Sequence, residues 1–344
     1  MYLGIEIGGT KLQLGVAGSD VSQLIARERF EIQAGRGAAG ILELIEKSGR
    51  GLLQKYDIEG IGIGFGGPVN PHTGRVTRSH QIHGWEDFPL VDWCQQTLEA
   101  PAVMGNDCDC ATLAEARFGA GKDCDSVFYV TVGTGIGGGF AVKQQLHGSM
   151  RPAVAEIGHL RPGLHADRPD ATVESLASGW GIEAAARNRL IDHVSYPLES
   201  VRNQDGPNDP ETVRQRIEDA EEADAEYAND LLDRCDHAID DLTAKLIGQA
   251  AMEGNEIARE IIEHAHQAVG WAVAQVITLL APEMIVVGGG VSLMGEKHFI
   301  VPLRREVKRY VFPPLTDSYE IVPAGLGEDV VVYGALALAA DMAD

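Results

Sequence analysis

A chain of 344 residues with 44% apolar composition is long enough for about two domains and can bury a substantial core. Its formal net charge of −23, from 28 basic against 51 acidic side chains, argues against nucleic acid and against an anionic membrane surface as partners. Cysteines 94, 108, 110, 124 and 235 form no even, regularly spaced framework, which fits a reducing cytoplasm. The first strand begins so early that no secretory signal is expected, and the apolar stretch 268–281 is too short for a bilayer span of ~20 residues.

Residues Tyr2 to Ala17 read as an apolar strand, a Gly/Thr turn and a second strand, and Val127 to Val142 repeat that pattern. Glycines at the two tips would permit positive φ and close approach, so that several N–H groups could converge on an anion. Thr10 and Thr134 add hydroxyls there, and Lys11 adds a positive charge. No further repeat is visible. Helical spacing predicts a helix over 39–56 with Ile41, Leu44, Ile45 and Leu52 on one face. Strands follow at 58–65 and 101–104, and a helix starts at Asp107 with Ala111, Ala114 and Phe118 at helical spacing. This strand–helix alternation is that of an α/β domain. After the second hairpin, 175–191 and 211–254 read as mostly helical. Between them 203–210 is a loop, with Asp209 as N-cap and Pro210 in the first turn. A long helix over 257–280, a strand over 283–287, the run Gly288-Gly289-Gly290 and an apolar helix over 330–340 complete the chain.

Six motifs together resemble the ROK family of sugar kinases and sugar-responsive repressors, within the actin/hexokinase/Hsp70 ATPase superfamily. They are Gly4-Ile-Glu-Ile-Gly-Gly-Thr-Lys11, Asn106-Asp107 with Ala114-Glu115, Val132-Gly-Thr-Gly-Ile-Gly-Gly138, Ala155-Glu-Ile-Gly-His159, Glu174 with Ser178-Gly179, and Val286-Val-Gly-Gly-Gly-Val-Ser292. The resemblance implies two actin-like (ribonuclease H-like) α/β domains flanking a nucleotide/sugar cleft. One domain would span 1–118, with the helix of 327–344 packing back on it, and a larger one 119–326 with a long acidic helical segment. It implies a glucokinase-like enzyme that transfers the γ-phosphoryl of Mg-ATP to the 6-hydroxyl of a hexose such as glucose, and a cytoplasmic homodimer. Gly8, Gly9, Thr10 and Lys11 would meet the terminal phosphates from one side and Gly133, Thr134 and Gly135 from the other. Gly288, Gly289 and Gly290 would lie against the adenosine; standing alone, that run is a tight strand-to-helix turn.

Phosphoryl transfer needs an in-line hydroxyl, a group to take its proton late, and positive charge on the phosphates. Asp107 is the candidate general base. On position alone an Asp at a helix start is more often a cap, and a helix N-terminus would also keep it ionised. Asn106 can donate to and accept from a sugar hydroxyl. By the resemblance Glu156, His159 and Glu174 complete the sugar site, while Gly66 and Gly67 let the chain approach the ring. Mg²⁺ would be held mostly by phosphates and water, with Glu6 reaching its water shell. The chain departs from the family pattern after His159. The usual Cys-rich zinc knuckle is replaced by a segment without cysteine, where His159 and His165 alone could serve, so no structural zinc is expected. Arg161 or Arg168 would have to brace that loop instead. Gln81 and Asp109 stand where relatives often have Asn, which bears on the identity of the sugar. An N-acetylhexosamine or fructose kinase and a non-catalytic sugar sensor are the alternatives. The acidic charge and the lack of a helix-turn-helix module before Tyr2 weigh against a repressor.

Overall fold

The structure is a computed structural model, and it describes residues 1–21, 23–79, 82–148, 151, 153–163, 168–191 and 224–342. Gln81, His165, the loop of 203–210 and the expected helix up to 223 lie outside them.

Two five-stranded sheets dominate. The first has the order β3-β2-β1-β4-β7, from β1 (Tyr2–Ile7), β2 (Lys11–Ala17), β3 (Leu24–Glu31), β4 (Gly60–Phe65) and β7 (Ala102–Asn106). Between these come the short β5 (Val69–Asn70) and β6 (Arg75–Val76). The second sheet has the order β10-β9-β8-β11-β12, from β8 (Ser126–Val132), β9 (Ile136–Val142), β10 (Gln145–Leu146), β11 (Met284–Gly288) and β12 (Glu320–Pro323). In each sheet the first three strands in chain order pair antiparallel and the last two add in parallel. The duplication visible in the sequence as two hairpins therefore extends to a whole sheet.

Strand periodicity explains what covers each face. Leu3, Ile5 and Ile7 of β1 and Ile61, Ile63 and Phe65 of β4 enter one core, shared with α1 (Gly37–Leu53) and α2 (Leu90–Leu98). On the opposite face Gly4, Gly15, Gly60, Gly62 and Gly64 let α9 (Val330–Asp341) settle almost on the strand backbone; a Cβ on Gly62 would lie 1.7 Å from the Ala335 carbonyl oxygen. The second sheet repeats the device. Phe128, Val130 and Val132 face a core with α4 (Val173–Ala177), α5 (Gly179–Ile191), α6 (Ala244–Glu253), the long α7 (Glu256–Leu280) and α8 (Val301–Tyr310). Gly137 and Gly139 on the other face admit α3 (Asp107–Arg117) against Cys108 and Thr112. Helices α3 and α9 thus lie between the sheets, crossing where Gly334 meets the Cys110 carbonyl.

The helix expected over 175–191 is two helices. Ser178 ends α4 and, with its hydroxyl accepting from Gly181 N–H at 3.2 Å, starts α5. Of the 211–254 region, the described part is helical over 224–233, passes through a turn and the 3₁₀ segment Ile239–Asp241, and resumes in α6. Strand β3, with no fully buried residue, and α2, α8 and β12 have no counterpart in the sequence reading. Cys108 and Cys110 are buried free thiols, whose ionisation burial pushes up.

Candidate active site

The first hairpin closes with Gly8 N–H donating to the Lys11 carbonyl at 2.9 Å, leaving Thr10 exposed at the tip. Gly66 packs on this turn: its N–H donates to the Ile7 carbonyl at 2.8 Å, and a Cβ there would stand 3.4 Å from Asp107 Oδ2 and 3.5 Å from Gly8 Cα. The second hairpin closes with Gly133 N–H on the Gly135 carbonyl at 2.9 Å. None of Gly8, Gly9, Gly133 and Gly135 has positive φ, contrary to expectation; Gly8, Gly133 and Gly135 serve close approach, and of the glycines in the three phosphate-turn motifs Gly289 has positive φ, at +91°. A Cβ on Gly289 would come within 2.4 Å of the Val132 carbonyl oxygen, so the turn after β11 is pressed onto the second hairpin.

Lys11 is placed differently from a free phosphate ligand. Pairing of Glu6 with Gln13 puts Glu6, Lys11 and Gln13 on one face of the hairpin. The Lys11 ammonium lies 3.1 Å from Glu6 and donates to the Glu328 carbonyl at 3.0 Å, and Gln13 Nε2 donates to Glu6 at 2.7 Å. Burial pushes the Glu6 carboxyl up, against the pull of Lys11 and Gln13. Among the described residues no group of three or more His, Cys, Asp and Glu side chains is disposed to hold a metal by itself.

Asn106, not Asp107, caps α3. Its Oδ1 accepts from Cys108 N–H at 2.8 Å, and its Nδ2 donates to the Gly67 carbonyl at 3.0 Å, which ties the loop after β4 to the helix start. Asp107 is the first helical residue, accepting from Cys108 N–H at 2.9 Å. Burial outweighs that hydrogen bond and, with Glu6 and Glu156 nearby, pushes the Asp107 carboxyl up to about 6. Asp109 is likewise pushed up to about 6, by burial and then by Asp107 and Glu156.

Glu156 is the centre of an inverse γ-turn (φ −70°, ψ 64°) in which Ile157 N–H reaches the Ala155 carbonyl at 2.7 Å. Ala155 itself is left-handed at φ +57°, a conformation costly for a residue with a Cβ. Partial burial raises the Glu156 carboxyl, with His159 opposing and Glu174 adding. His159 is exposed at the end of the same 3₁₀ turn. Glu174 accepts from Ile136 N–H at 2.8 Å and lies over Gly135, so it props the second hairpin tip. Gly158 makes this junction possible, since a Cβ would lie 2.1 Å from the Ile136 carbonyl oxygen. In the described part of the loop, Arg161 donates to the Pro169 carbonyl at 2.8 Å and Val173 N–H to the Leu160 carbonyl at 2.8 Å, while Thr172 and Ser175 form a capping box. Arg168 makes a 3.8 Å, exposed contact with Asp170 and braces little. We therefore expect metal analysis of protein washed with chelator to find no zinc; about one zinc per chain would contradict this.

Beside the second hairpin a cavity of about 550 Å³ is lined by Gly133, Thr134, Gly179 and Gly290 together with Trp180, Glu183, Thr243, Lys245, Met252 and Leu293. Gly288 does not line it; it is buried in β11 against the Tyr129 hydroxyl. The sequence reading missed Trp180 and Lys245. A Trp directly after Ser178-Gly179 was the available signal for the first, and the structure leaves its side chain exposed. Mostly apolar walls, one ammonium and three converging glycine turns suit a flat heteroaromatic group carrying phosphates.

The ROK family model matches residues 2–342. A glucokinase of Halalkalibacterium halodurans is 27% identical over 97% of this chain and 93% of its own. A xylose repressor of Caldicellulosiruptor bescii is 26% identical over 98% of this chain and 77% of its own. The solved structure of a ROK family glucokinase from Streptomyces griseus, in complex with glucose and AMPPNP, superposes with a TM-score of 0.76 at 27% identity, covering 99% of each chain. The α/β architecture expected from the sequence is the one found.

Proposed function

The chain belongs to the ROK family, and on that premise we propose that it is an ATP-dependent hexose kinase, acting on the 6-hydroxyl of glucose or a close relative. The observation that carries the reading is Asp107, half-buried at the start of α3 beside the first hairpin turn and titrating near 6. A base of that pKa is ionised at neutral pH yet basic enough to take a proton late in phosphoryl transfer. Likeness to the Streptomyces griseus glucokinase supports the choice of sugar and nucleotide.

The adenine and ribose occupy the cavity lined by Trp180 and Gly290, and the phosphates run toward Thr134 and Thr10 at the two tips. Asn106, Glu156, His159 and Glu174 hold the ring hydroxyls, and the Gly66–Gly67 turn lets the chain lie against the sugar. The acceptor oxygen attacks the γ-phosphorus, the bond from that phosphorus to the bridging oxygen of ADP breaks, and the hydroxyl proton passes to Asp107. Oxygen donors at Glu6 and Asp107, close enough for one to raise the other, suit the water shell of a hard cation. Mg²⁺ brought by the nucleotide would spread phosphate charge there, with Glu6 holding its water. Lys11 acts through Glu6, to which it is paired, and shapes the tip from behind. We take residues 1–118 with the C-terminal helix as one closing half, 119–326 as the other, and two copies of the chain as the cytoplasmic assembly.

The test is ADP release with Mg-ATP against glucose, mannose, fructose, N-acetylglucosamine, N-acetylmannosamine and allose. Turnover with glucose or one of its relatives is expected. Silence on every sugar, with nucleotide still bound, would favour the sensor reading that the likeness to a xylose repressor keeps open.

A further inference from the structure

Glu115 has no part in the chemistry above, yet it is fully buried and its carboxylate partners are main-chain N–H groups. They come from two distant segments. Oε2 accepts from Ala120 N–H at 2.8 Å and Gly325 N–H at 3.1 Å; Oε1 accepts from Gly325 N–H at 2.9 Å and Leu326 N–H at 3.0 Å. Residues 118–125 carry the chain from α3 to the second sheet, and residues 324–329 carry it from β12 to α9, which docks on the first sheet. One side chain thus grips both of these crossings, chiefly one oxygen to each. The surroundings are cut to fit it: a Cβ on Gly119 would lie 2.1 Å from Glu115 Oε2, and one on Gly325 3.2 Å from Ala120 N.

We infer that Glu115 is a positioning residue that pins both chain crossings and so fixes the angle at which the two halves meet. Helix α3 has Asp107 at its first position and Glu115 two turns later, so an error at the pin becomes a displacement of Asp107 against the second hairpin. A buried carboxylate held by three N–H groups, one of them shared between its two oxygens, fixes direction more tightly than packing alone, because a donor that loses it is left unsatisfied. The kinetic arm of the test rests on the kinase reading; the scattering arm does not.

Two variants are compared with the full-length wild type. Glu115→Gln turns one oxygen into a donor facing donors and so frees one crossing. Gly119→Ala displaces the carboxylate while leaving it in the chain. Small-angle scattering without ligand is expected to give both a larger radius of gyration. With the best sugar, kcat/KM is expected to fall about 10- to 100-fold, the scale of a misplacement near 1 Å. The Kd for ADP alone should stay within about twofold, because the nucleotide cavity is lined from 133–294. Folded variants with wild-type radius and kcat/KM would overturn the inference, and so would an ADP Kd that weakens as much as kcat/KM falls. If Glu115→Gln does not fold, Gly119→Ala decides. A wild type that turns over no sugar refutes the kinase reading and leaves the radii to decide the pin.

Discussion

Asp107→Asn is expected to lower kcat for hexose phosphorylation by about 10³-fold, within the usual range for loss of a positioned base, while the Kd for sugar changes little. The amide keeps the contact with Cys108 N–H and removes only the proton acceptor. Wild-type kcat should fall about tenfold per pH unit below about 6 and level off above it, because the carboxylate form does the work. That acid limb should be missing from the residual activity of the variant. Stability should move the other way. A folded pKa near 6 lies above the ordinary ~3.9, so the stability this group contributes is present below ~3.9 and lost as pH rises through 6. Asn removes that loss, and at pH 8 the variant should be more stable by on the order of 1 kcal/mol after allowing for solvent at a partly exposed group. Denaturant titration at pH 5 and pH 8 would check the sign. A variant that loses activity and stability together would point to a structural role for Asp107.

Among the glycines whose surroundings are described, Gly62→Ala should be the most damaging single methyl. Its Cβ would stand 1.7 Å from the Ala335 carbonyl oxygen, a backbone atom of α9 with no side-chain torsion to relieve it. The helix must lift from β4, and with it the contacts of Gly4 against Val332 and Leu336. Overpacking of this kind costs about 3 kcal/mol or more, which for a chain of this size lowers Tm by about 5–10 °C. Gly51→Ala is the control: it lies in α1 with nothing within 4 Å of the new Cβ, and should be neutral or slightly stabilising. Equal Tm for the two variants would show that α9 is not seated on the glycine face.

The sequence pattern Gly60-Ile-Gly-Ile-Gly-Phe65 announces a strand with one bare face, but only the fold shows that the visitor is the chain's own C-terminal helix rather than a ligand. The hairpins were legible because apolar alternation breaks at Gly/Thr tips. The direction of Lys11 was not, since it depends on the register that sets Glu6 opposite Gln13. Asn106 and Asp107 could be placed at a helix start, whereas the choice of cap between them turned on backbone geometry at one residue. Trp180 and Lys245 meet at one cavity from positions far apart in the chain, which no local pattern records. Strand β3 escaped notice because it lies at the edge of its sheet, where Arg27 and Arg29 face outward to hold Asp329 and Glu328.

The central claim is transfer of a phosphoryl group to a sugar hydroxyl, and phosphorus NMR of a reaction holding glucose and Mg-ATP tests it most directly. The expected spectrum shows ADP and an equal amount of a phosphomonoester whose phosphorus couples to the two C6 protons. ADP accompanied by inorganic phosphate alone, or an unchanged ATP spectrum, would contradict it.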